Sequence, residues 1–344
     1  MSDFIQLHLL TSYPPANLNR DDLGRPKTAR MGGFDRLRIS SQSLKRHWRT
    51  SELFESALFE HIGTRTKLLG REVYEYLIAK DMVEKLAKEC AVDIAKVFGK
   101  DKKDSFEIEQ LAHISPVEKQ AVFLLADKLI QENRSPLTDE LNLLTKEKTG
   151  VDIALFGRML ASSPAFNVEA ACQVAHAISV HSVVVEDDYF TAVDDLNDGS
   201  ENAGSAHIGE SGFAAALFYS YICINKSLLL DNLDNNEILA SQAIKALTEA
   251  AVKVSPTGKQ NSFASRAYAS FVLAEKGEQQ PRSLSVAFLK PIDDPDQSAA
   301  AIKALTNQVS NFDSVYGDCA SQRYILNAIE GKGTFSELSD FVSC

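Results

Sequence analysis

The sequence predicts an α+β fold, in which a strand-rich part of the chain is interrupted by a helical block. Residues 4–10 and 213–225 are rich in apolar and aromatic residues, a composition typical of strands. Between about residues 64 and 178, apolar residues recur instead at the 3.6-residue spacing of helices. This change of pattern predicts that the helical block is an insertion and not part of the sheet.

The individual elements follow from the same patterns. We predict an irregular arm over residues 11–30, rich in Pro, Asn, Asp and Arg, and an acidic loop over residues 194–212. The predicted strands are 4–10, 36–39, 180–190, 213–225, 266–274 and 283–289. The predicted helices are 41–60, 73–91, 116–133, 167–177, 236–253, 296–309 and 334–342.

Outside the helical block, the predicted order is strand, helix, strand, strand, helix, strand. This order is typical of the split βαβ or ferredoxin-like unit, which RNA-recognition domains share. The aromatic strand signature of RNA-recognition domains is absent from the sequence. If this unit binds RNA, we therefore expect the arm and the first helix to make the contacts, without base stacking on the sheet.

Basic residues concentrate between residues 20 and 49. This stretch holds nine Lys or Arg against three Asp, a local charge of +6 on a chain whose net charge is −11. A basic island on an acidic protein is typical of a site for a polyanion. The alternative is a solvated charged face, which is the usual role of a run of charges.

The start of the helix predicted at 41–60 favours the same chemistry. Ser40 or Ser41 offers an N-cap, and the basic residues that follow oppose the helix dipole. Free amide N–H groups, hydroxyls and cations at one helix start are suited to a phosphate. Helical spacing predicts an inward stripe and an outward one, formed by Leu44 and Trp48 and by Ser41, Lys45 and Arg49 respectively.

Bulk properties exclude several classes of protein. No apolar run approaches the roughly 20 residues that a membrane span needs, and the N-terminus lacks the layout of a signal peptide. The five cysteines are dispersed and never spaced as Cys-x-x-Cys, which predicts reduced thiols in a cytoplasmic protein. We expect no metal site, no cofactor and no membrane partner.

Six segments together resemble the CasC family, the backbone subunits of the type I-E CRISPR Cascade complex. Their order and separation match the family over most of the chain, although each segment alone is weakly specific. The segments are 18–22, 32–33, 38–46, 150–159, 190–196 and 204–207.

The resemblance implies a hand-shaped protein with an RNA-recognition-like palm, inserted helical fingers and an extended thumb loop. Residues 1–63 are then the first part of the palm, with the basic arm and first helix. Residues 64–178 are the fingers, and residues 179–344 complete the palm, with the thumb at about 190–212. Because the thumb is acidic, we expect it to contact a basic patch on the next copy, through residues that include Asp194 and Asp195.

The resemblance further implies a binding function without cleavage. Copies of such subunits polymerise along the spacer of the CRISPR RNA and grip its sugar-phosphate backbone. The thumb displaces guide bases at intervals, and the exposed segments pair with target DNA. The implied partners are thus CRISPR RNA, target DNA, neighbouring copies of the chain and other Cascade subunits.

The same resemblance implies contacts for individual residues. The expected backbone contacts are Arg20, Lys27, Ser40, Gln42, Lys45 and Arg49, with Arg38 and Arg46 beside them. Met159 corresponds to the residue at the displaced base, and Thr191 to the contact of the thumb. As alternatives, the two arginines pair with Asp21 or Asp22, and Met159 is an ordinary core methionine. Lys259 is a further phosphate contact or part of a solvated loop.

The alternative class is a CRISPR-type ribonuclease on the same fold. It would use a metal ion at Asp21 and Asp22, or proton transfer by His47. An acidic pair in a basic arm equally serves to order arginines, and His47 equally suits a helix surface. His176 and His181 lie five residues apart and fit no common zinc pattern, which favours structural roles. We therefore predict a protein that is not an enzyme.

Overall fold

The computed structural model describes residues 3–103, 105–147, 149–192 and 207–344. The strands are β1 (Phe4–Ala16), β2 (Thr28–Met31), β3 (Phe34–Ile39), β4 (Thr64–Thr66), β5 (Ala112–Ile114), β6 (Cys172–Val174), β7 (Ala177–Ser179), β8 (Glu186–Ala192), β9 (His207–Asn225), β10 (Phe271–Gly277) and β11 (Gln322–Asn327). The α-helices are α1 (Ser41–Arg49), α2 (Glu52–Ala57), α3 (Leu69–Ala79), α4 (Glu84–Phe98), α5 (Pro116–Glu132), α6 (Val151–Phe156), α7 (Lys226–Asn232), α8 (Glu237–Lys253), α9 (Gln260–Phe263), α10 (Gln297–Tyr316) and α11 (Phe335–Ser343). Short 3₁₀ helices span Phe59–His61, Thr138–Leu141, Pro164–Phe166 and Ser285–Phe288.

One large antiparallel sheet organises the molecule. Its strands follow the order β11-β10-β1-β9-β7-β3-β2, and β6 and β8 also pair with β9. The four strands of the ferredoxin-like unit are β1, β7, β9 and β10 in chain order. In the sheet they follow the order β10-β1-β9-β7, so that the first strand lies between the fourth and the third, and the second lies beside the third. Helices α1 and α8 are its two crossover helices. The predicted α+β fold, a ferredoxin-like palm with a helical insert, is confirmed.

The two faces of this sheet bury different cores. Alternate side chains of a strand point to opposite faces, so that Leu7 and Leu9 of β1 pack with α1, α8 and α11. Leu10 lies on the other face, in a core with the buried residues of α10. Helix α10 therefore covers the face of β1, β9 and β10 opposite α1 and α8.

The helical block has a core of its own. Helices α3, α4 and α5 bury Val73, Ile94, Leu129 and their neighbours in a cluster separate from the two palm cores. Strands β4 and β5 form a short ribbon within this block, with Arg65 opposite His113. The predicted division of the chain at residues 63 and 178 stays a prediction.

Two predicted helices are each divided into two. The helix predicted at 41–60 ends after Arg49, because Ser51 caps a new helix by accepting the amide of Phe54 at 3.3 Å. The helix predicted at 73–91 is interrupted between α3 and α4, where Asp81 has a φ of 63°. A left-handed residue ends an α-helix, and after glycine the short polar residues Asn and Asp adopt this conformation most readily.

Three further predictions are wrong in their element type. Residues 167–177 are not helical, because β6 and the start of β7 pair with the sheet, and pairing overrides the apolar spacing. Residues 283–289 contain a 3₁₀ helix instead of a strand, with Leu284 and Phe288 buried against α10. The arm predicted as irregular over 11–30 contains the end of β1 and most of β2.

Strand β8 and the first part of β9 form an antiparallel ribbon at the position predicted for the thumb. Thr191 of β8 lies opposite Ile208 of β9, and every residue of β8 is exposed. Asp194 and Asp195, and with them the predicted contact of the acidic thumb, lie outside the described residues. The five cysteines carry free thiols. Among the described helices, none has the length and apolar character needed to cross a membrane.

Candidate nucleic-acid interface

Helix α1 is fixed at its start and along its inner face. The hydroxyl of Ser40 accepts a hydrogen bond from the amide of Ser43 at 3.3 Å, which makes Ser40 the N-cap. The amide of Ser40 in turn donates to Asn19 Oδ1 at 2.9 Å. Leu44 and Trp48 are buried, as the inward stripe predicted. The remaining sides of α1 are therefore presented in a fixed orientation.

The first amides of α1 are largely engaged within the protein, contrary to the expectation of free N–H groups. The amide of Ser41 donates to His176 Nδ1 at 3.2 Å, and that of Ser43 donates to Ser40. Among the described residues, the amide of Gln42 has no acceptor. A phosphate would therefore meet the side chains of α1 more than its amides.

Arg38 binds the same imidazole. Its Nη1 lies 3.4 Å from His176 Nδ1, and its Nε donates to the carbonyl of Thr28 at 3.4 Å. It therefore contacts these groups and not Asp21 or Asp22. Partial desolvation, together with the positive charges of Arg38 and Lys27, lowers the pKa of His176 below its ordinary value. The neutral ring is the form that can accept a hydrogen bond at Nδ1.

A groove of about 480 Å³ runs between α1 and the helical block, and we refer to it as the groove. The wall from the palm is formed by Gln42, Lys45, Arg46 and Arg49. The facing wall includes Arg65, Leu111, His113, Phe156 and Met159. The groove thus brings four predicted backbone contacts together with the residue predicted at the displaced base.

Most cations of the groove lack a counter-ion. Lys45, Arg46 and Arg65 have no carboxylate oxygen within 4 Å in the described chain. The Lys45 ammonium lies 5.8 Å from the ring centroid of Phe156, at the distance of a cation–π contact. Arg49 differs, because its Nη1 lies 3.3 Å from Asp152 Oδ2. The groove therefore carries an uncompensated positive charge, which is suited to an anionic ligand.

Met159 is 82 % exposed, which excludes the alternative that it is a core methionine. It follows Arg158, whose guanidinium is buried and bound to the Glu118 carboxylate at 2.7 Å. This buried ion pair anchors the loop that carries Met159. The exposed thioether therefore lines the groove from a loop that the buried ion pair holds in place.

The other predicted contacts lie outside the groove. Arg20 is exposed, and Lys27 is half-buried beside β3. Thr191 lies on the β8–β9 ribbon, and Lys259 donates from its ammonium to the hydroxyl of Ser211 at 2.5 Å. The structure therefore gathers Gln42, Lys45, Arg46, Arg49 and Met159 in one place, while these four contacts belong to neighbouring surfaces.

One cation of the basic island has no role on the surface. Arg36 is fully buried and donates to the carbonyls of Ser179, Phe288 and Leu289 at 3.0, 2.9 and 3.4 Å. Burial lowers its pKa from the ordinary value. Arg36 thereby ties β3 to β7 and to the 3₁₀ helix, and the charge available to a ligand is smaller than the sequence count indicates.

Sequence reasoning missed Arg65, Leu111, His113 and Phe156. Arg65 and His113 are isolated residues of the helical block, where spacing indicates only helices and no site. Phe156 stands in the segment 150–159, whose resemblance pointed to Met159 alone. Nothing in the local sequence shows that β4 and β5 form a ribbon facing α1.

A second cleft of about 570 Å³ lies on the other side of α1, and we refer to it as the arm cleft. Its lining includes Arg20, Asp21, Asp22, Ser43 and His47. The residues of the alternative ribonuclease therefore meet in one place. No group of three or more His, Cys, Asp or Glu suited to hold a metal ion occurs in the described ranges.

Both ring nitrogens of His47 have partners in the protein. Nδ1 donates to the carbonyl of Ser43 at 2.7 Å, and Nε2 lies 2.9 Å from Thr257 Oγ1. Asp21 is likewise engaged, since its Oδ1 accepts the amides of Leu23 and Arg25 at 2.9 Å each. These contacts order the turn of the arm and hold the imidazole, which is the behaviour of structural residues.

Comparison with known proteins identifies the family and the fold of the chain. A family model described as CT1975-like protein matches residues 5–340. A chain from a structure titled "CRISPR RNA-guided surveillance complex, pre-nicking" is 27 % identical, with a TM-score of 0.86 over 99 % of each chain. A chain from "CRISPR RNA-guided surveillance complex" is 23 % identical, with a TM-score of 0.75 over 99 % of each chain, and shows the fold alone. No curated protein matches the sequence. The resemblance to CasC is thereby confirmed, and the chain belongs to the family of CT1975-like proteins.

Proposed function

We propose that the chain is a non-catalytic, CRISPR RNA-binding backbone subunit of a Cascade-type surveillance complex. Copies of the chain polymerise along the guide spacer, grip its phosphate backbone and present its bases to target DNA. The similarity to a surveillance-complex chain at 27 % identity supports a role in a CRISPR complex. Neighbouring copies, the CRISPR RNA, target DNA and other Cascade subunits are its proposed partners.

The observation that carries the proposal is the set of uncompensated cations in the groove. A subunit that must accept any spacer sequence cannot depend on hydrogen bonds to base edges. Lysine and arginine side chains bind phosphates whatever the base, and their contribution comes largely from the release of counterions. Gln42 adds neutral hydrogen-bonding groups beside Lys45 and Arg46, which suits the sugar-phosphate backbone.

Met159 supports the proposed displacement of a base. An exposed, flexible thioether at the edge of a cationic groove can contact the face of a base without reading its edges. In this proposal the β8–β9 ribbon, through Thr191, provides the thumb that acts at intervals along the guide. Arg20, Lys27, Arg38, Ser40 and Lys259 extend the backbone contacts on either side of the groove.

The experiment that tests the proposal compares two single substitutions in the purified chain. Lys45→Gln removes a groove cation, whereas Lys303→Gln removes an exposed cation of α10, on the opposite face of the sheet. Binding to single-stranded RNAs of several unrelated sequences is measured by fluorescence anisotropy across a range of salt concentrations.

We expect Lys45→Gln to weaken binding equally for every RNA sequence and to reduce the magnitude of the salt slope by about 0.7. Lys303→Gln should leave both quantities at their wild-type values. If Lys45→Gln binds as the wild type does at every salt concentration, the groove is not the RNA site.

A further inference from the structure

A buried carboxylate contacts two of the residues that line the groove, one on each wall. Asp152, the second residue of α6, is completely buried. Its Oδ1 accepts the amides of Gly63 at 2.8 Å and of Ile153 at 3.1 Å. Its Oδ2 lies 2.7 Å from His113 Nε2 and 3.3 Å from Arg49 Nη1. An ionised carboxylate offers about four acceptor sites, so that these four donors satisfy it.

The partners of Asp152 come from both walls of the groove. Arg49 ends α1, on the palm wall, and His113 lies on β5, on the facing wall. Both bind the same oxygen atom, which joins the two walls at one point. The fit around the carboxylate is tight, because a Cβ added to Gly150 would approach Asp152 Oδ1 to 3.0 Å and the amide of Gly63 to 2.9 Å.

Electrostatic attraction of RNA does not explain an aspartate beside the proposed RNA site. Its negative charge offsets the positive charge of Arg49 and repels a phosphate in the groove. A buried charge that is retained against this cost needs another role, and holding a long side chain in one orientation is such a role. A preorganised guanidinium loses less conformational entropy when it binds a phosphate.

We propose that Asp152 is a positioning residue of the RNA groove, which holds the Arg49 guanidinium and the His113 imidazole for contact with the guide. This inference rests on the proposed function. Asp152 does not touch RNA itself; it acts through Arg49 and His113, and it fixes the distance between the palm wall and the wall of the helical block.

The test uses the sign of the change in RNA affinity. Asp152→Asn removes a negative charge from the groove, so that charge alone would strengthen RNA binding and steepen its salt dependence. The amide also places an N–H donor against the donors of His113 and Arg49, which releases the arginine. Positioning therefore predicts that Asp152→Asn weakens binding, by about tenfold, the loss typical of one hydrogen bond to a charged group.

A double-mutant cycle separates positioning from a general loss of structure. Because part of the effect of Asp152 passes through Arg49, Asp152→Asn should lower the RNA affinity by a smaller factor in an Arg49→Gln background than in the wild type. A merely structural role would lower the affinity by the same factor in both backgrounds. Glu140→Gln is the matched control, since Glu140 pairs with Arg134 and Lys128 in the helical block, away from the groove. We expect it to leave the RNA affinity unchanged.

Arg49→Lys keeps the test decisive if Asp152→Asn does not fold. Lysine carries the same charge on a freely rotating ammonium and lacks the planar fork of arginine. We expect a loss of affinity close to that of Arg49→Gln. Wild-type affinity for Arg49→Lys, or tighter binding by Asp152→Asn, would overturn the positioning role while Lys45→Gln still weakens binding. Failure of the wild-type chain to bind RNA would instead overturn the proposed function.

Discussion

The groove and the arm cleft flank the same helix, yet they differ in the charged residues that line them. On the groove side, Lys45 and Arg46 have no carboxylate within 4 Å in the described chain, and the exposed Met159 lies on the facing wall. On the arm side, Arg20 lies with Asp21 and Asp22, and the His47 ring is bonded at both nitrogens. In the described chain, no acidic side chain lines the groove, whereas Asp21 and Asp22 line the arm cleft beside Arg20.

This difference separates binding from catalysis on the same helix. A phosphate grip needs cations that are free of partners, and the groove provides them. A general acid or base needs a ring nitrogen within hydrogen-bond reach of the substrate, whereas His47 already uses both of its nitrogens. The arm cleft therefore has the residue types of a ribonuclease, with His47 and Asp21 engaged in hydrogen bonds within the protein.

The largest effect, on the stability of the fold, is expected from truncating Trp48, which packs the helix between the two clefts against the core. Trp48 is 2 % exposed and packs α1 into the palm core. Trp48→Ala should lower the free energy of unfolding by about 3–5 kcal/mol, because a large cavity remains beneath the helix. Chemical denaturation of the free chain measures this loss.

RNA binding by Trp48→Ala sharpens the comparison. Since α1 carries four of the groove residues, its displacement should weaken RNA binding even under conditions where the variant is folded. Retained affinity in a folded Trp48→Ala chain would place the RNA site elsewhere than on α1. Leu239→Ala is a control, because it truncates a residue of the same core that belongs to α8 and not to α1.

The cap, the buried face and the end of α1 illustrate what the sequence alone could and could not predict. Ser40 as N-cap and the inward stripe of Leu44 and Trp48 follow from local spacing, and both agree with the structure. The end of α1 at Arg49 was missed, because a run of helix-compatible residues continues through Ser51. The hydroxyl of Ser51 can cap a new helix only where the chain turns, which local propensity does not reveal.

The candidate site was harder to predict, because its contacts join distant parts of the chain. Arg49 meets Asp152 across 103 positions, and His176 meets Ser41 across 135. Similarly, residues 172–174 form strand β6 because β9 pairs with them, although the apolar spacing of residues 167–177 suits a helix. Tertiary contacts of this kind override local propensity, and no single-sequence pattern records them.

A smaller effect, on the pH dependence of stability, is expected from His176, which accepts a hydrogen bond at the start of α1. His176 has a pKa below its ordinary value of 6.5 in the folded chain. Below pH 6.5, the unfolded chain takes up a proton at His176 that the folded chain resists, so stability falls as the pH decreases. His176→Gln should make the unfolding free energy less dependent on pH between pH 7 and pH 5.

Parallel denaturation curves at several pH values measure this dependence. His61→Gln is a suitable control, because it removes an exposed histidine outside the start of α1. If wild type and His176→Gln lose stability equally on acidification, the neutral imidazole is not needed to hold the first amide of α1.

The smallest effect, an absence of change, is expected in the arm cleft. Because His47 and Asp21 are bonded within the protein, we expect no specific cleavage of labelled spacer RNA by the wild type, by Asp22→Ala or by His47→Ala, with or without Mg²⁺. Gel analysis of the RNA products measures this, with an added ribonuclease as positive control for detection. Cleavage by the wild type that either substitution removes would make the arm cleft an active site, and the groove would then serve to hold its substrate.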